Sequence, residues 1–258
     1  MPLAPGDRSD RRNTRKNHDR VQGTVTSPRG RHSYNRPMHD VDQANPIDRA
    51  VATPVLLKAE ALYFRYPQRD LFAGWSALIG PGVTLVRGDE SSGKTTLLRL
   101  LSGVLAADRG HLQANGVVLD EQPAAYRQQV FWADPRSDLH DQVVAADYLE
   151  SQRRLYARFD EQRLATLVEG FALAPHLDKP LYMLSTGSKR KVWLAAAFAA
   201  GATITLLDEP FTGLDKGSVG FVLEQLAWAA ADTQRAWVVA DHGAPANVPL
   251  AAVIALGV

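Results

Sequence analysis

Residues 88–95 read Gly88-Asp89-Glu90-Ser91-Ser92-Gly93-Lys94-Thr95, which fits the pattern G-x4-G-K-[ST]. Residues 83–86, Val-Thr-Leu-Val, precede it and read as a short strand after the turn Gly80-Pro81-Gly82. Leu97, Leu98, Leu100, Leu101, Val104 and Leu105 follow it with the spacing of an amphipathic helix. A strand, a glycine-bracketed loop and a helix in that order make a cradle for phosphate. Glycines at 88 and 93 remove side chains that would block close approach of the backbone, and the helix N-terminus adds its positive dipole end. Lys94 would reach the β- and γ-phosphates of a bound triphosphate, and the Thr95 hydroxyl would ligate Mg2+. Gly88, Asp89, Glu90, Ser91, Ser92, Gly93, Lys94, Thr95 and Thr96 are therefore the candidate ATP-binding residues.

Further along, Ile204-Thr205-Leu206-Leu207-Asp208-Glu209-Pro210 is an apolar strand ending in two adjacent carboxylates. Alternation along a strand points neighbours in different directions. Asp208 is thus placed to hold the Mg2+ shell, while Glu209 faces the γ-phosphate and polarises water. Open α/β sheets bind ligands at such carboxyl ends of strands. The uncharged run at 192–207 is sixteen residues long, interrupted by Gly201 and two threonines. It is short for a bilayer and reads as a buried helix running into a buried strand.

Strands are expected at 55–64 and 71–78, separated by Tyr66-Pro67-Gln68, and a small hairpin between Gly110 and Gly116. A helical pattern runs from 147 to 171, a long helix follows Gly187, and a helix at 221–231 precedes a last strand at 236–240. Strands alternating with helices imply a parallel sheet covered on both faces. The expected class is α/β: a mainly parallel central sheet, an N-terminal antiparallel β subdomain and an inserted α-helical subdomain.

The chain has 258 residues, 45% hydrophobic and 22% charged, enough for one large domain or two small ones. Residues 1–50 carry ten Lys/Arg and six Asp/Glu, and the remainder is net −3. That basic head has few aliphatic residues and no amphipathic period, so a disordered extension is expected at 1–50 and the folded domain at 51–258. Its charge alone does not point clearly to nucleic acid. The absence of cysteine excludes disulfides and Cys-ligated zinc. No apolar stretch follows the N-terminal charges, which argues against a secretory signal.

Taken together, the motifs resemble the ATP-binding cassette (ABC) ATPase family. Leu184-Ser185-Thr186-Gly187-Ser188 is similar to its LSGGQ signature, Phe211-Thr212-Gly213-Leu214-Asp215 to its D-loop, and Ala240-Asp241-His242 to its switch-histidine loop. Tyr66 matches the aromatic residue that stacks on adenine. The resemblance spans roughly residues 55–258 in unbroken order. It implies a dimer of cassettes, homo- or heteromeric, in which Ser185, Thr186 and Gly187 of one subunit meet the γ-phosphate held by the other. Glu209 and His242 would be catalytic, Thr95 and Asp208 the metal ligands, and Asp215 the D-loop carboxylate. It also implies ATP hydrolysis driving transport through a separate transmembrane permease, which docks near residues 134–149 of a helical lobe that spans about 134–190. The cassette itself would be cytoplasmic, on the inner face of the membrane. Its compact length resembles short exporter cassettes.

Three departures stand out. Glu90-Ser91 replaces the family's usual Asn-Gly in the phosphate loop, and Asp89 and Glu90 bring negative charge toward a polyanion, which predicts modest nucleotide affinity. The signature reads Ser-Thr-Gly-Ser. The region Val130-Phe131-Trp132-Ala133-Asp134-Pro135 lacks the Q-loop glutamine, leaving Asp134 as the nearest polar substitute. Two alternatives follow: a soluble ABC ATPase that moves no solute, and a weakly catalytic nucleotide sensor. Translation factors of the family carry two cassettes and DNA-maintenance members a long coiled coil, and this chain has neither.

Overall fold

The first strands form where apolar residues flank a tight turn. β1 (Leu57–Tyr66) and β2 (Arg69–Ile79) pair antiparallel across Pro67-Gln68, with Tyr66 opposite Arg69. The chain then leaves this sheet as β3 (Gly82–Arg87) and α1 (Lys94–Leu101). It returns as β4 (Arg109–Ala114) and β5 (Val117–Val118), completing a four-stranded antiparallel sheet in the order β2-β1-β4-β5. Next come α2 (Pro123–Gln129) and β6 (Val130–Trp132), followed by α3 (Ala145–Leu155) and α4 (Glu161–Gly170). Two 3-10 turns, Ala174–His176 and Leu181–Met183, lead to α5 (Thr186–Ala199) and β7 (Ile204–Asp208). The chain finishes with α6 (Lys216–Ala230), β8 (Ala236–Asp241) and β9 (Ala252–Ala255). The second sheet is parallel throughout, in the order β6-β7-β8-β3-β9. This computed structural model describes residues 54–134 and 136–257, so the extension expected at 1–50 lies outside the described residues.

Alternation along the parallel strands divides the core in two. Ile204, Leu206, Ala236, Val238 and Val86 face α1 and the antiparallel sheet, while Leu207, Trp237, Val239 and Val83 face α5 and the helical region. Leu97, Leu98, Leu100 and Leu101 of α1 are all fully buried, because the helix is covered from both sides by sheet. That burial holds the start of the helix, and with it the phosphate loop, against the sheet edge. On the other face Phe198 of α5 stacks on Trp237 at 5.0 Å between ring centroids. Among the described residues, no helix is long and apolar enough to cross a membrane.

The structure departs from the sequence expectations in three places. The pattern at 147–171 is two helices, broken between Tyr156 and Asp160. There the Tyr156 hydroxyl donates to the Val130 carbonyl at 3.0 Å, and the Asp160 carboxylate caps α4 by accepting from the Arg163 N–H at 2.9 Å. β6, only three residues long and continuous with α2, carried no turn signal to announce it. Residues 236–240 are not the last strand either, since β9 pairs with the outer side of β3.

Gly201, between α5 and β7, has φ +66°, and a Cβ there would lie 2.1 Å from the Arg158 carbonyl oxygen. Gly201→Ala is expected to lower the unfolding free energy by about 2–3 kcal/mol, measured by urea denaturation.

Candidate functional site

The phosphate loop lies between the end of β3 and the start of α1. Gly93 takes φ +101° at the helix entrance, a conformation open to glycine, and a Cβ there would press on the Leu71 side chain at 3.0 Å. Gly88 is also required by the packing of the loop itself. A Cβ at 88 would meet the Ser92 hydroxyl at 2.4 Å and the Leu256 carbonyl at 3.0 Å, so the glycine serves the loop's own packing. Ser91 occupies the left-handed region at φ +59°, where a side chain is strained by about 1–2 kcal/mol. The Lys94 ammonium donates to the carbonyls of Gly88 at 2.7 Å and Asp89 at 2.9 Å. One of its three protons is left for a ligand oxygen.

Two carboxylates arrive at this loop from β7. Thr95 Oγ1 donates to Asp208 Oδ2 at 2.6 Å, while Asp208 Oδ1 is buried with no partner among the described residues. Burial pushes the Asp208 carboxyl up from its ordinary range, opposed by the Thr95 hydroxyl, which favours the ionised form. Glu209 sits in the left-handed region at φ +45°, with its N–H donating to the Ala240 carbonyl at 2.8 Å. The buried Arg190 guanidinium donates to the Glu209 carbonyl and holds this strained turn from behind. Burial lowers the pKa of Arg190. His242, just beyond β8, places Nε2 3.9 Å from Glu209 Oε1.

Tyr66, Arg69, Glu90, Lys94, Thr95, Arg136 and Glu209 line one open cleft of about 530 Å³, a volume suited to a small-molecule ligand. Ser91, Gly93 and Thr96 line it as well. The Tyr66 ring packs edge-on against Phe64, and its hydroxyl lies 3.1 Å from the Thr96 hydroxyl. Glu90 lines the cleft but Asp89 does not, and among the described residues the cleft holds three cations against two carboxylates. Sequence reading missed two of those cations. Arg69 Nη1 donates to the Ser91 carbonyl at 2.9 Å, and Arg136 approaches from the loop after β6. No motif flagged either residue; only the residue's charge near a phosphate loop could have. Asp134, expected to stand in for the missing glutamine, does not line this cleft. Its Oδ1 accepts the Arg136 N–H at 3.0 Å, and its Oδ2 lies 4.0 Å from Arg99 Nε.

Ser185, Thr186 and Gly187 do not line this cleft. Ser185 caps α5, accepting from the Ser188 N–H at 3.1 Å, and it and Thr186 are exposed. A Cβ at Gly187 would lie 2.4 Å from the Gly213 carbonyl, so the signature glycine lets the D-loop pack closely. Asp215 caps α6 through the Ser218 N–H at 2.9 Å and pairs with Lys191 of α5 at 2.7 Å. Lys191 first, then Ser218, hold its carboxyl well below the usual carboxylate range. The signature helix and D-loop helix are thus tied to each other, and neither Ser185, Thr186, Gly187 nor Asp215 lines the cleft.

A parallel sheet with a phosphate loop after one strand and paired carboxylates after another defines a P-loop nucleotide-binding cassette. The family described as ABC transporter matches residues 80–212, just over half the chain. The cytochrome c biogenesis ATP-binding export protein CcmA of Pseudomonas savastanoi pv. phaseolicola is 33% identical over 178 residues, covering 69% of this chain and 84% of that protein. CcmA of Escherichia coli (strain K12) is 31% identical, covering 67% and 82%. A solved ATP binding subunit of an ABC transporter superposes with TM-score 0.64 at 25% identity, covering 72% of this chain and 79% of that one. The chain belongs to the ABC transporter family, as a nucleotide-binding subunit that hydrolyses ATP.

The strain at Ser91 gives a direct test. Ser91→Gly is expected to raise the unfolding free energy of the nucleotide-free chain by about 1 kcal/mol, measured by urea denaturation.

Proposed function

We propose that this chain is the ATPase engine of an export system, working as a dimer of cassettes beneath a separate membrane permease. The observation that carries the reading is the convergence of Thr95, Asp208, Glu209 and His242 on one edge of the parallel sheet. ATP lies in the cleft with its adenine against Tyr66 and its phosphates against the loop from Gly88 to Thr96. Lys94 neutralises the terminal phosphates. The donor set at the Thr95–Asp208 pair is all oxygen, one carboxylate oxygen is buried with no partner among the described residues, and such hard ligands suit Mg2+. Thr95 and Asp208 would hold that ion, which supplies charge neutralisation on the phosphates. Glu209 orients and polarises the attacking water, and His242 fixes its geometry at the γ-phosphate.

Ser185, Thr186 and Gly187 complete the site of a second cassette. Their exposure at a capped helix N-terminus supports this, because free N–H groups there favour phosphate. Closure on ATP and separation after hydrolysis then move the helical lobe, residues 134–190. A groove of about 410 Å³ supports the docking of a permease segment on that lobe, at the cytoplasmic face of the membrane. It is lined by Val104, Trp132, Leu139, Tyr148 and Leu155, and Leu139 is 78% exposed. The export direction and a substrate related to cytochrome c biogenesis follow the relatives that carry those names.

Glu209→Gln is expected to reduce Mg2+-dependent ATP turnover at least about a hundredfold while an ATP-bound dimer accumulates on gel filtration. Turnover equal to wild type would favour a nucleotide sensor instead. Leu139→Glu is expected to leave turnover of the isolated chain unchanged and to abolish its recovery with detergent-solubilised membranes. Unchanged recovery would remove the groove from the docking surface.

A further inference from the structure

The missing Q-loop amide leaves a question that the cleft itself answers. Arg136 follows β6 by four residues and lines the same cleft as Lys94, Thr95 and Glu209. The other added cation, Arg69, lies in the turn region near Tyr66 and donates to the Ser91 carbonyl. Arg136 instead belongs to the carboxylate end, where its charge acts on both Asp208 and Arg190. Its backbone N–H is held by Asp134 Oδ1 at 3.0 Å, which fixes the loop from which the side chain extends. Among the described residues, no carboxylate pairs with its guanidinium.

Resting on the nucleotide reading above, we infer that Arg136 contacts the terminal phosphate of ATP and makes the site prefer ATP over ADP. A glutamine amide carries an oxygen that can ligate a metal ion, whereas a guanidinium carries only donors. The residue that reaches the site from this loop therefore acts on phosphate oxygens and leaves the metal to Thr95 and Asp208. Its planar donors suit a phosphate edge, and its charge counters Glu90 and Glu209, the two carboxylates facing the same cleft. The unfavourable charge of the Asp89-Glu90 loop is thereby offset by a cation from a distant segment.

The test uses the full chain with Mg2+, titrating fluorescent ATP and ADP analogues into wild type, Arg136→Ala, Arg136→Gln and Arg136→Lys. Arg136→Ala is expected to weaken ATP binding about tenfold and ADP binding less than about twofold. Arg136→Lys should recover most of the ATP affinity and Arg136→Gln little of it. Equal weakening of both nucleotides, or an unchanged ATP-to-ADP ratio in Arg136→Ala, would overturn the inference while leaving the cleft a nucleotide site. A wild-type chain that binds neither nucleotide overturns the nucleotide reading, and this inference with it.

Discussion

Parallel pairing of β3, β8 and β7 is the constraint on which the rest of this molecule depends. Arg87 lies opposite Asp241, and Asp208 opposite Ala240, so all three strands end at one edge. The phosphate loop, the Asp208-Glu209 pair and His242 each follow one of these ends. A hydrogen bond of 2.6 Å then joins Thr95 to Asp208 across 113 residues of sequence. Parallel strands with both faces covered are nearly continuous apolar runs, and β3, β7 and β8 are buried along nearly their whole length between α1 with the antiparallel sheet and α5. Without the hydrophobic core on both sides, no local preference of the loops would bring these groups together.

The site concentrates backbone strain and buried charge on that edge. Ser91 and Glu209 both hold left-handed conformations that side chains ordinarily avoid. Arg190, buried and partly desolvated, secures the Glu209 turn through its carbonyl and sits in the same helix as the signature residues. Lys191 in that helix pairs with Asp215 at the start of α6, and Lys189 pairs with Asp141 in the helical region. One helix is thus connected to the Glu209 turn, to Asp215 and to the loop that carries Asp141.

Much of this was legible from residue order alone. The loop at 88–95 and the carboxylates at 208–209 are local patterns whose chemistry requires those residue types at that spacing, and they stand where strand ends should be. The apolar run at 192–207 also separates into helix and strand at Gly201, because glycine there takes a backbone conformation that the flanking alanines resist. β6 and β9 were not legible: each is short, and each is selected by pairing with a partner distant in sequence. The break between α3 and α4 likewise depends on the Tyr156 hydroxyl reaching Val130, a contact that no periodicity encodes.

The phosphate loop, the paired carboxylates and the α/β order were determined by the sequence itself, since each rests on interactions between residues close along the chain. Only the tertiary structure decided that Arg69 and Arg136, and not Asp134, line the cleft. It also showed that Gly88 and Gly187 are glycines because neighbouring backbone and side-chain atoms occupy the space a Cβ would need. The physical reason is the same in every case. Which charge faces a ligand, and which atom leaves no room for another, is fixed by segments that meet through burial of a shared core, and their distance along the chain carries no trace of that meeting.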